Sequence, residues 1–499
     1  MQKQDSFFII VYMKRYALRH KKYISVLAVT VAVSLLLSGC AMPFPFAGGS
    51  NGGSGEQELM PETLGLEPDF SYERAEEKPG IQTDHLGYLP YSVKTAVFRG
   101  RELPEDFQVI ERDSGRCVYE GKIRRREQGE DGIVTGYGTF TEVREEGIYY
   151  IRCDKIGCSY YIPIGDSVYL EKAMELGRLI EEAQSGEETV RQTVDICETL
   201  SYLLMTYEMY PALLVKIWES ADAGGDGTGI NGKRFFGMLR SETDILLSLQ
   251  DEKTGGVYKE AKTTAAAGQD GQEQPEISPE ATAVYAGTMA KYGYLYQEYD
   301  WDYANICLKA ASKAWRYLEN EERSRSLDAE SVATERIYAA SELYRASNER
   351  AYHNYMLQNS ELMAGRKEDL YLLIGKVTYL STRREVDHEL CGQIMSGLMK
   401  DAERTAAEGK TEQFLVKENE TDAILWNMTA LALTNYAIMN HEYVTVIESH
   451  LHYLMGRNGQ SALLLEEPDN VEAAKLLFLF GVVEAERKII EESMEEESA

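Results

Sequence analysis

The spacing of apolar residues changes near Ser167, and this change constrains the fold more than any other feature of the 499-residue sequence. Beyond it, segments such as "TVDICETLSYLLMTYEMY" and "WDYANICLKAASKAWRYLEN" place apolar residues at i, i+3, i+4 and i+7, which is the spacing of an amphipathic helix. About twelve such segments follow one another, joined mostly by short loops. The sequence therefore predicts an all-α domain over residues 167–499.

Two architectures accommodate a long run of antiparallel helices. Paired helices can close into an (α/α)6 barrel, or they can stack into an open solenoid of helical repeats. The segments show no fixed repeat length, and this favours the barrel.

Residues 80–166 carry a different pattern. The runs "KTAVF", "FQVIE" and "RCVYEGKI" are short, rich in branched and aromatic residues, and separated by Gly, Pro or Asp-Ser-Gly turns, as is typical of β-strands. "GIYYIRCDKIGCSYYIPI" predicts a hairpin around Asp154–Gly157, and the number of strands predicts a small β-sandwich. A Cys153–Cys158 disulfide across this hairpin is less favoured than two buried thiols.

The N-terminus predicts export and anchoring. Basic residues between Lys14 and Lys22 precede a short apolar run, Tyr23–Leu37, and then "LSGC", which is the layout of a secretory signal. The Ser-Gly pair before Cys40 resembles the lipobox of bacterial lipoproteins, in which the cysteine is lipidated. A plain signal peptide or an anchor helix is the alternative. We therefore expect a signal peptide over 1–40, a flexible tether over 41–79, and a lipoprotein on the outer face of the cell membrane.

The charge of the chain limits its partners. The formal net charge is −30, and removing residues 1–40, which hold six Lys or Arg and one Asp, makes it −35. So acidic a surface repels phosphate backbones and argues against nucleic acid. It also repels anionic lipids, so only the lipid anchor would bind the membrane. Neutral polysaccharides or oligosaccharides remain compatible, as does a protein partner in the envelope.

Several segments resemble one enzyme family. "IQTDHLGYLPYSVKTAVF" resembles the immunoglobulin-like domain that precedes many family 9 glycoside hydrolases, the cellulases. "GTGINGKRFFGMLRSETDILLSLQDEKTGGVYKE", "LDAESVATERIYAASELYRASNERAY" and "HLHYLMGRN" resemble segments of that family's catalytic domain, in the family's order. The resemblance spans Gly80 to the C-terminus and implies an immunoglobulin-like β-sandwich followed by an (α/α)6 barrel.

The resemblance also implies a mechanism. Family 9 enzymes hydrolyse β-1,4-glucans with inversion, which requires a base carboxylate for water and an acid carboxyl for the leaving oxygen, about 6.5–9.5 Å apart. The family's base comes from a GGWxDAGDYxKY motif, and its acid is a Glu in a C-terminal "NE" segment.

"ADAGGDGTG" places Asp222 and Asp226 in a loop that looks like the base motif. In the family, however, DAGD comes before the helix that ends in "LLxAYE", and here that helix is "LSYLLMTYE", Leu200 to Glu208. The loop follows this helix instead, and its extra glycine breaks the spacing. We therefore interpret it as an Asp/Gly turn that caps the next helix.

The family's base position falls elsewhere in this chain. Counting back from Glu208 without gaps places DAGD on residues 185–188, with Glu188 as the only stand-in for the base. Its side chain is one methylene longer than that of Asp, and misplacement by about 1 Å can cost roughly a hundredfold in rate. The alternative is an exposed Glu in the first turn of a helix.

The acid position is similarly weak. "NVEAAKLLFLFGVV" resembles the family segment that holds the acid, and one alignment places Glu472 there, whereas a shift of one residue places Val471 there. No His or Arg occurs between Asn458 and Arg487, although the family has both in this region. A solvated Glu in the first turn of a helix is the alternative for Glu472.

No cofactor is predicted. The seven histidines are scattered, and no Cys or His pair has zinc-ligand spacing. Calcium is common in the family, but "DAGGDGTG" lacks the acidic density of a dedicated calcium loop. The four tryptophans are expected in the core rather than as sugar platforms.

The sequence thus predicts a family 9 scaffold whose catalytic segments are shortened or substituted. The leading hypothesis is a catalytically degenerate lipoprotein that binds β-glucan or another polysaccharide, or acts as an interaction module in the envelope. The alternative is an active inverting β-1,4-glucan hydrolase that uses Glu188, Asp222 or Asp226 as base and Glu472 as acid. A helical adaptor with a closed barrel mouth is a third reading.

Overall fold

The computed structural model describes residues 79–129, 132–185, 190–218, 233–261, 276–324, 327–417 and 420–498. The strands of its N-terminal part are β1 (Ile81–Gln82), β2 (Thr95–Gly100), β3 (Asp106–Glu111), β4 (Cys117–Lys122), β5 (Arg124–Gln128), β6 (Val134–Thr139), β7 (Gly147–Cys153), β8 (Gly157–Cys158) and β9 (Ile162–Ile164). They form two antiparallel β-sheets with strand orders β1-β2-β6-β5 and β4-β3-β7-β8, and β9 also pairs with β7.

The two sheets face each other across one apolar core. Phe98 from one sheet packs against Phe107 from the other, with ring centroids 5.1 Å apart, and Val109, Ile151 and Ile162 belong to the same buried cluster. Alternate residues of each strand enter this core, as two packed sheets require. The predicted small β-sandwich is therefore confirmed.

The predicted hairpin is also confirmed, because β7 pairs with β8 through the turn at Asp154–Gly157. Cys153 lies opposite Gly157, whereas Cys158 lies opposite Arg152. The two cysteines therefore point to opposite faces of the sheet, and they join different apolar clusters. Both are free and buried thiols.

The remainder of the described chain is mostly helical. One small two-stranded sheet joins β10 (Arg191–Gln192) to β11 (Glu260–Ala261). The helices are α1 (Leu170–Ser185), α2 (Thr193–Met209), α3 (Ala212–Trp218), α4 (Lys233–Ser248), α5 (Pro279–Tyr296), α6 (Trp301–Arg323), α7 (Ala333–Ser347), α8 (Arg350–Gln358), α9 (Ser360–Ala364), α10 (Leu370–Ser381), α11 (His388–Thr411), α12 (Thr421–Ile438), α13 (His441–Leu454) and α14 (Asn470–Ser498).

Six of these helices form a closed inner ring. Helix α2 contacts α5, and contacts then run from α5 to α7, α10, α12 and α14, while α14 packs back against α2. An outer helix or helix pair precedes each inner helix along the chain: α1, α3 with α4, α6, α8 with α9, α11 and α13. Since the ring closes, the fold is the predicted (α/α)6 barrel and not an open solenoid.

Burial along the helices distinguishes the two layers. In α5, 14 of 18 residues are buried. This is expected of an inner helix, because other parts of the protein surround it on every side. In α6, only 8 of 23 residues are buried, and they recur at three- and four-residue intervals along one stripe. Among the described helices, none has both the length and the apolar character needed to cross a bilayer.

Hydrogen bonds tie the sandwich to the barrel. Asp84, just after β1, lies with its Oδ2 2.6 Å from Nδ1 of His452 in α13, and the His85 N–H donates to the Met455 carbonyl over 2.8 Å. Burial raises the pKa of Asp84 well above its ordinary value and lowers the pKa of His452 well below its own. This contact is therefore fully desolvated.

Gly456 makes the close approach at this boundary sterically feasible. Its φ is +121°, and a Cβ there would lie 2.4 Å from Cδ2 of His85. We expect Gly456→Ala to lower the free energy of unfolding by about 1–3 kcal/mol through backbone strain alone, and by more through the clash. Urea denaturation measures the change.

Gly392→Ala is the matched control, because a Cβ on this helical glycine would meet no atom within 4 Å. Its expected effect is a stabilisation of about 0.5–1 kcal/mol. Equal effects of the two substitutions would contradict the close packing described at Gly456.

Candidate functional site

Most residues singled out from the sequence lie outside the described part of the chain. Cys40, Glu188, Asp222 and Asp226 all belong to residues whose placement is not described. Glu472 is described, in the first turn of α14. The candidate site is therefore built from the described end of the barrel at which α14 begins.

The six inner helices run parallel, so their N-termini lie at one end of the barrel, which we call the mouth. Each carries a carboxylate at its N-cap or in its first turn, where the partial positive charge of the helix terminus stabilises it. The mouth consequently has an acidic rim. Its members are Asp195, Glu280, Glu335, Asp369, Asp422 and Glu472.

Glu472 forms a reciprocal pair of hydrogen bonds with the residue that caps its helix. The Glu472 N–H donates to Oδ1 of Asp469 over 2.8 Å, and the Asp469 N–H donates to Oε2 of Glu472 over 3.0 Å. This is the arrangement of a capping box, which satisfies two backbone donors at a helix start. A local structural role thus accounts for Glu472 without any catalytic one.

Asp195, which the sequence reasoning missed, lies beside this helix start. Burial raises the pKa of its carboxyl and the charge of Asp469 raises it further, while Arg191 and Lys475 act in the opposite direction. Lys475 lies 3.0 Å from Oε1 of Glu198, one turn further along α2. A carboxyl with a raised pKa at the end of a barrel is a candidate proton donor.

Glu335 is a second carboxyl of this kind. Burial raises its pKa, a hydrogen bond to its own backbone lowers it, and the charges of Asp369 and Glu280 raise it again. The Thr334 hydroxyl lies 3.1 Å from its Oε2. No sequence signal marks Asp195 or Glu335, because their pKa shifts arise from burial and from charges on other helices.

Aromatic side chains fill the barrel below the rim. Tyr371 of α10 stacks on Tyr338 of α7 at 5.7 Å between centroids, and within the described chain its buried hydroxyl has no hydrogen-bond partner. Deeper in, the Tyr338 hydroxyl lies 3.0 Å from Ser201 Oγ, which lies 3.2 Å from Thr288 Oγ1. Both tyrosine side chains therefore belong to the buried core of the barrel.

The tryptophans follow the expectation with one exception. Trp218 and Trp315 are buried in the barrel core, and Trp426 packs against it. Trp301, at the start of α6, is 65% exposed.

A charged network lies at the opposite end of the same helices. Lys291 contacts Glu208 at 2.8 Å and Glu342 at 3.2 Å. Arg345 pairs with both of these carboxylates, and the Thr378 hydroxyl donates to Glu342 over 2.9 Å. These residues come from α2, α5, α7 and α10, so the network joins four consecutive inner helices. Its groups are paired with one another, which indicates a structural role.

The segments that carry the resemblance supply much of this structural machinery. Glu208 ends "LSYLLMTYE", Glu342 and Arg345 lie in "SELYR", His452 lies in "HLHYLMGRN" and Asp84 lies in "IQTDHLGYLP". The resemblance therefore includes residues that hold helices and domains together.

Metal ligands are sparse in the described chain. No group of three or more His, Cys, Asp or Glu side chains in the described ranges is arranged to hold a metal ion. The loop considered for calcium in the sequence, with Asp222 and Asp226, is outside these ranges.

Comparison with known proteins identifies both domains. Residues 76–158 match the cellulase N-terminal ig-like domain, and residues 188–463 match glycosyl hydrolase family 9. A cellodextrinase of Butyrivibrio fibrisolvens is 21% identical over 465 residues, which cover 76% of this chain and 83% of the relative.

Solved structures share the fold. A Bacteroides ovatus GH9 protein matches with a TM-score of 0.64 and 15% identity, over 82% of this chain and 99% of that one. AaCel9A, solved in complex with cellobiose-like isofagomine, matches with a TM-score of 0.62 and 19% identity, over 77% and 84% of the two chains. Because residues 188–463, more than half of the chain, match the family itself, the chain belongs to glycosyl hydrolase family 9, with a cellulase immunoglobulin-like domain at its N-terminal side.

Proposed function

We propose that this family 9 protein binds β-glucan or a related polysaccharide and no longer hydrolyses it by the family mechanism. The observation that carries the proposal is the capping box at Glu472. One of the two alignments of this segment places Glu472 at the catalytic acid and the other places Val471 there, and Glu472 closes its own helix through Asp469. An inverting enzyme needs that acid free to protonate the leaving oxygen.

The sequence around the base position supports the same proposal. Residues 185–188 replace the family's DAGD, and only Glu188 offers a carboxylate with a comparable position. AaCel9A in its complex holds a cellobiose-like ligand, and the relative from Butyrivibrio fibrisolvens is a cellodextrinase. A glucan is therefore the polysaccharide to test first.

The proposal extends to where the protein acts. The basic segment, the apolar run and Cys40 support lipidation and anchoring at the outer face of the bacterial cell membrane. Residues 41–79 would then hold the folded part away from the bilayer. A mature chain of charge −35 would not bind anionic lipids directly, so the lipid and the glycan, or an envelope protein, would be its contacts.

One observation favours the alternative of an active inverting β-1,4-glucan hydrolase. Asp195 and Glu335 are carboxyls at the mouth, and burial raises the pKa of each, which is the direction that a general acid requires. Such an enzyme would pair an acid with Glu188, Asp222 or Asp226 as base.

Incubation with glucans separates the two functions. We expect mixed-linkage glucan or hydroxyethylcellulose, which are both uncharged, to retard the protein in a native gel. In solution the protein should release no reducing ends from the same glucans. Release of reducing ends that Glu188→Gln abolishes would contradict the proposal.

Glu472→Gln tests the role of Glu472 directly. Glutamine also serves at this position of a capping box, so we expect a change in unfolding free energy below about 0.5 kcal/mol and unchanged glucan retardation. Glu466→Gln, on an exposed loop residue, is the control. A loss of hydrolysis in Glu472→Gln but not in Glu466→Gln would assign the acid to Glu472.

A further inference from the structure

A pocket lies where the sandwich meets the barrel, and we call it the boundary pocket. It has a volume of about 330 Å³, which is within the usual size of small-molecule sites. Its walls are the loop before β2, residues 166 and 167 between the two domains, α3 and the second half of α14. Since α14 begins at the mouth, this half of the helix lies towards the other end of the barrel. The boundary pocket is therefore separate from the mouth.

One wall carries a buried carboxylate with an unused hydrogen-bonding position. The side chain of Glu484 is 8% exposed, and its Oε2 lies 3.0 Å from the Lys216 ammonium. Its Oε1 is buried as well, and within the described chain this oxygen has no hydrogen-bond partner. Burial raises the pKa of Glu484, Lys216 lowers it, and the charge of Asp166 raises it again. Buried oxygens normally accept a hydrogen bond, so Glu484 can accept one more donor.

The boundary pocket needs a hydrogen-bond donor rather than a further charge. Lys216 already gives Glu484 a cation, and the lining as a whole holds three cations and three carboxylates. They are Lys216, Arg487, Lys488, Asp166, Glu484 and Glu491. The net charge of the whole chain, −30, repels anions, and the balanced lining offers no excess negative charge to a cation. The pocket therefore favours a neutral ligand.

Other polar groups of the lining are accessible from the solvent. Ser167 and Lys488 are exposed and Tyr91 is half-buried, and among the described residues neither hydroxyl nor the Lys488 ammonium makes a hydrogen bond or an ion pair. Solvent water satisfies accessible groups of this kind, and the hydroxyls of a ligand can replace that water. Leu89 and Pro90 add apolar surface beside them. The pocket thus combines donors, acceptors and an apolar wall.

We propose that the boundary pocket binds a neutral hexose. One sugar hydroxyl would donate to Oε1 of Glu484. Others would accept from Lys488 or exchange hydrogen bonds with Ser167 and Tyr91, since a hydroxyl both donates and accepts. The Tyr91 ring, which Arg144 contacts at 4.9 Å from its centroid, offers an apolar surface with a polar end, and this suits the C–H face of a sugar. The site does not depend on the proposed function.

Saturation-transfer proton NMR of the purified full chain tests this proposal, with D-glucose, D-galactose and D-mannose titrated one at a time. Glycine, which carries both charges and no hydroxyl, is the comparison. We expect at least one hexose to bind saturably and glycine to bind at least about tenfold more weakly. A free hexose has no glycosidic bond, so the result is independent of any hydrolysis at the mouth. Saturable binding of no hexose, or glycine binding as tightly, would overturn the proposal.

A steric variant locates the site. Ala212→Tyr places a large side chain at an exposed position of the pocket wall and is expected to abolish hexose binding. Ala351→Tyr, at an exposed position near the start of α8, is the matched control and should bind like the unaltered chain. Neither variant should change the retardation of the protein by glucan, so a failure of the proposed function would be seen separately. Hexose binding that Ala212→Tyr leaves unchanged would overturn the proposal.

A second variant tests the chemistry. Glu484→Met keeps nearly the length of the side chain and removes the acceptor, and it is expected to weaken hexose binding about tenfold or more. Glu403→Met, at an exposed position on α11, is its control. Equal hexose affinity in Glu484→Met and Glu403→Met would overturn the proposal.

Discussion

Replacing Arg345 by methionine is expected to lower the free energy of unfolding by about 3–5 kcal/mol, because it removes one partner of a buried ion pair. Arg345 pairs with Glu208 and Glu342, and the Glu342 side chain is completely buried. Lys291 alone would then have to balance both carboxylates. Chemical denaturation followed by circular dichroism measures the change.

Arg323→Met is the control for this experiment, since Arg323 makes an exposed pair with Glu319 at 3.6 Å on the surface of α6. Exposed pairs contribute about 0–1 kcal/mol. A loss below about 1 kcal/mol in Arg345→Met would contradict the role given to the network.

The same network gives a pH dependence. Burial alone would raise the pKa of Glu208, but the charges and hydrogen bonds of Arg345 and Lys291 outweigh burial and bring it down to about 2. A carboxylate whose pKa is lowered by folding contributes stability above its unfolded pKa, and this contribution is lost as the pH falls through the folded value. The stabilisation from Glu208 should therefore decline from about pH 4.3 towards pH 2.

The second large effect is expected at the boundary between the sandwich and the barrel. Glu448 of α13 accepts hydrogen bonds from the Ser92 hydroxyl and, over 3.1 Å, from the Val93 N–H, and it pairs with Arg487 of α14 at 2.5 Å. Arg487→Met leaves this carboxylate buried without its cation, which typically costs about 3–5 kcal/mol.

The loss in Arg487→Met should appear as separate unfolding of the two domains, because Glu448 holds the loop before β2. Urea denaturation followed by near-ultraviolet circular dichroism is expected to show two transitions in place of one. Lys155→Met, which removes an exposed pair with Glu102 within the sandwich, should leave the curve unchanged. A single transition in Arg487→Met at the midpoint of the unaltered chain would contradict this account.

The fold was largely predictable because its signals are local. The strand of residues 95–100 and the helix of residues 301–323 can each be recognised from a short window of sequence. Closure of the ring followed from the helix count and the absence of a fixed repeat. The capping box could also have been recognised, since Asp469-x-x-Glu472 has its sequence pattern.

The features that escaped prediction depend on residues far apart in the chain. Glu208 and Arg345 are separated by 137 positions, and no local pattern announces that they meet. The pKa of Asp195 is raised first by burial and then by the charge of Asp469, which the fold brings across from the start of α14. The boundary pocket likewise combines side chains of the sandwich and of two helices, none of which stands out in its own segment.

The central claim is that the family scaffold persists without the family's inverting hydrolysis. The most direct measurement is proton NMR of the anomeric region while the purified chain is incubated with cellotetraose. The account predicts signals of intact substrate only. Signals of newly formed α-anomers, which inversion at a β-linkage produces, would contradict it.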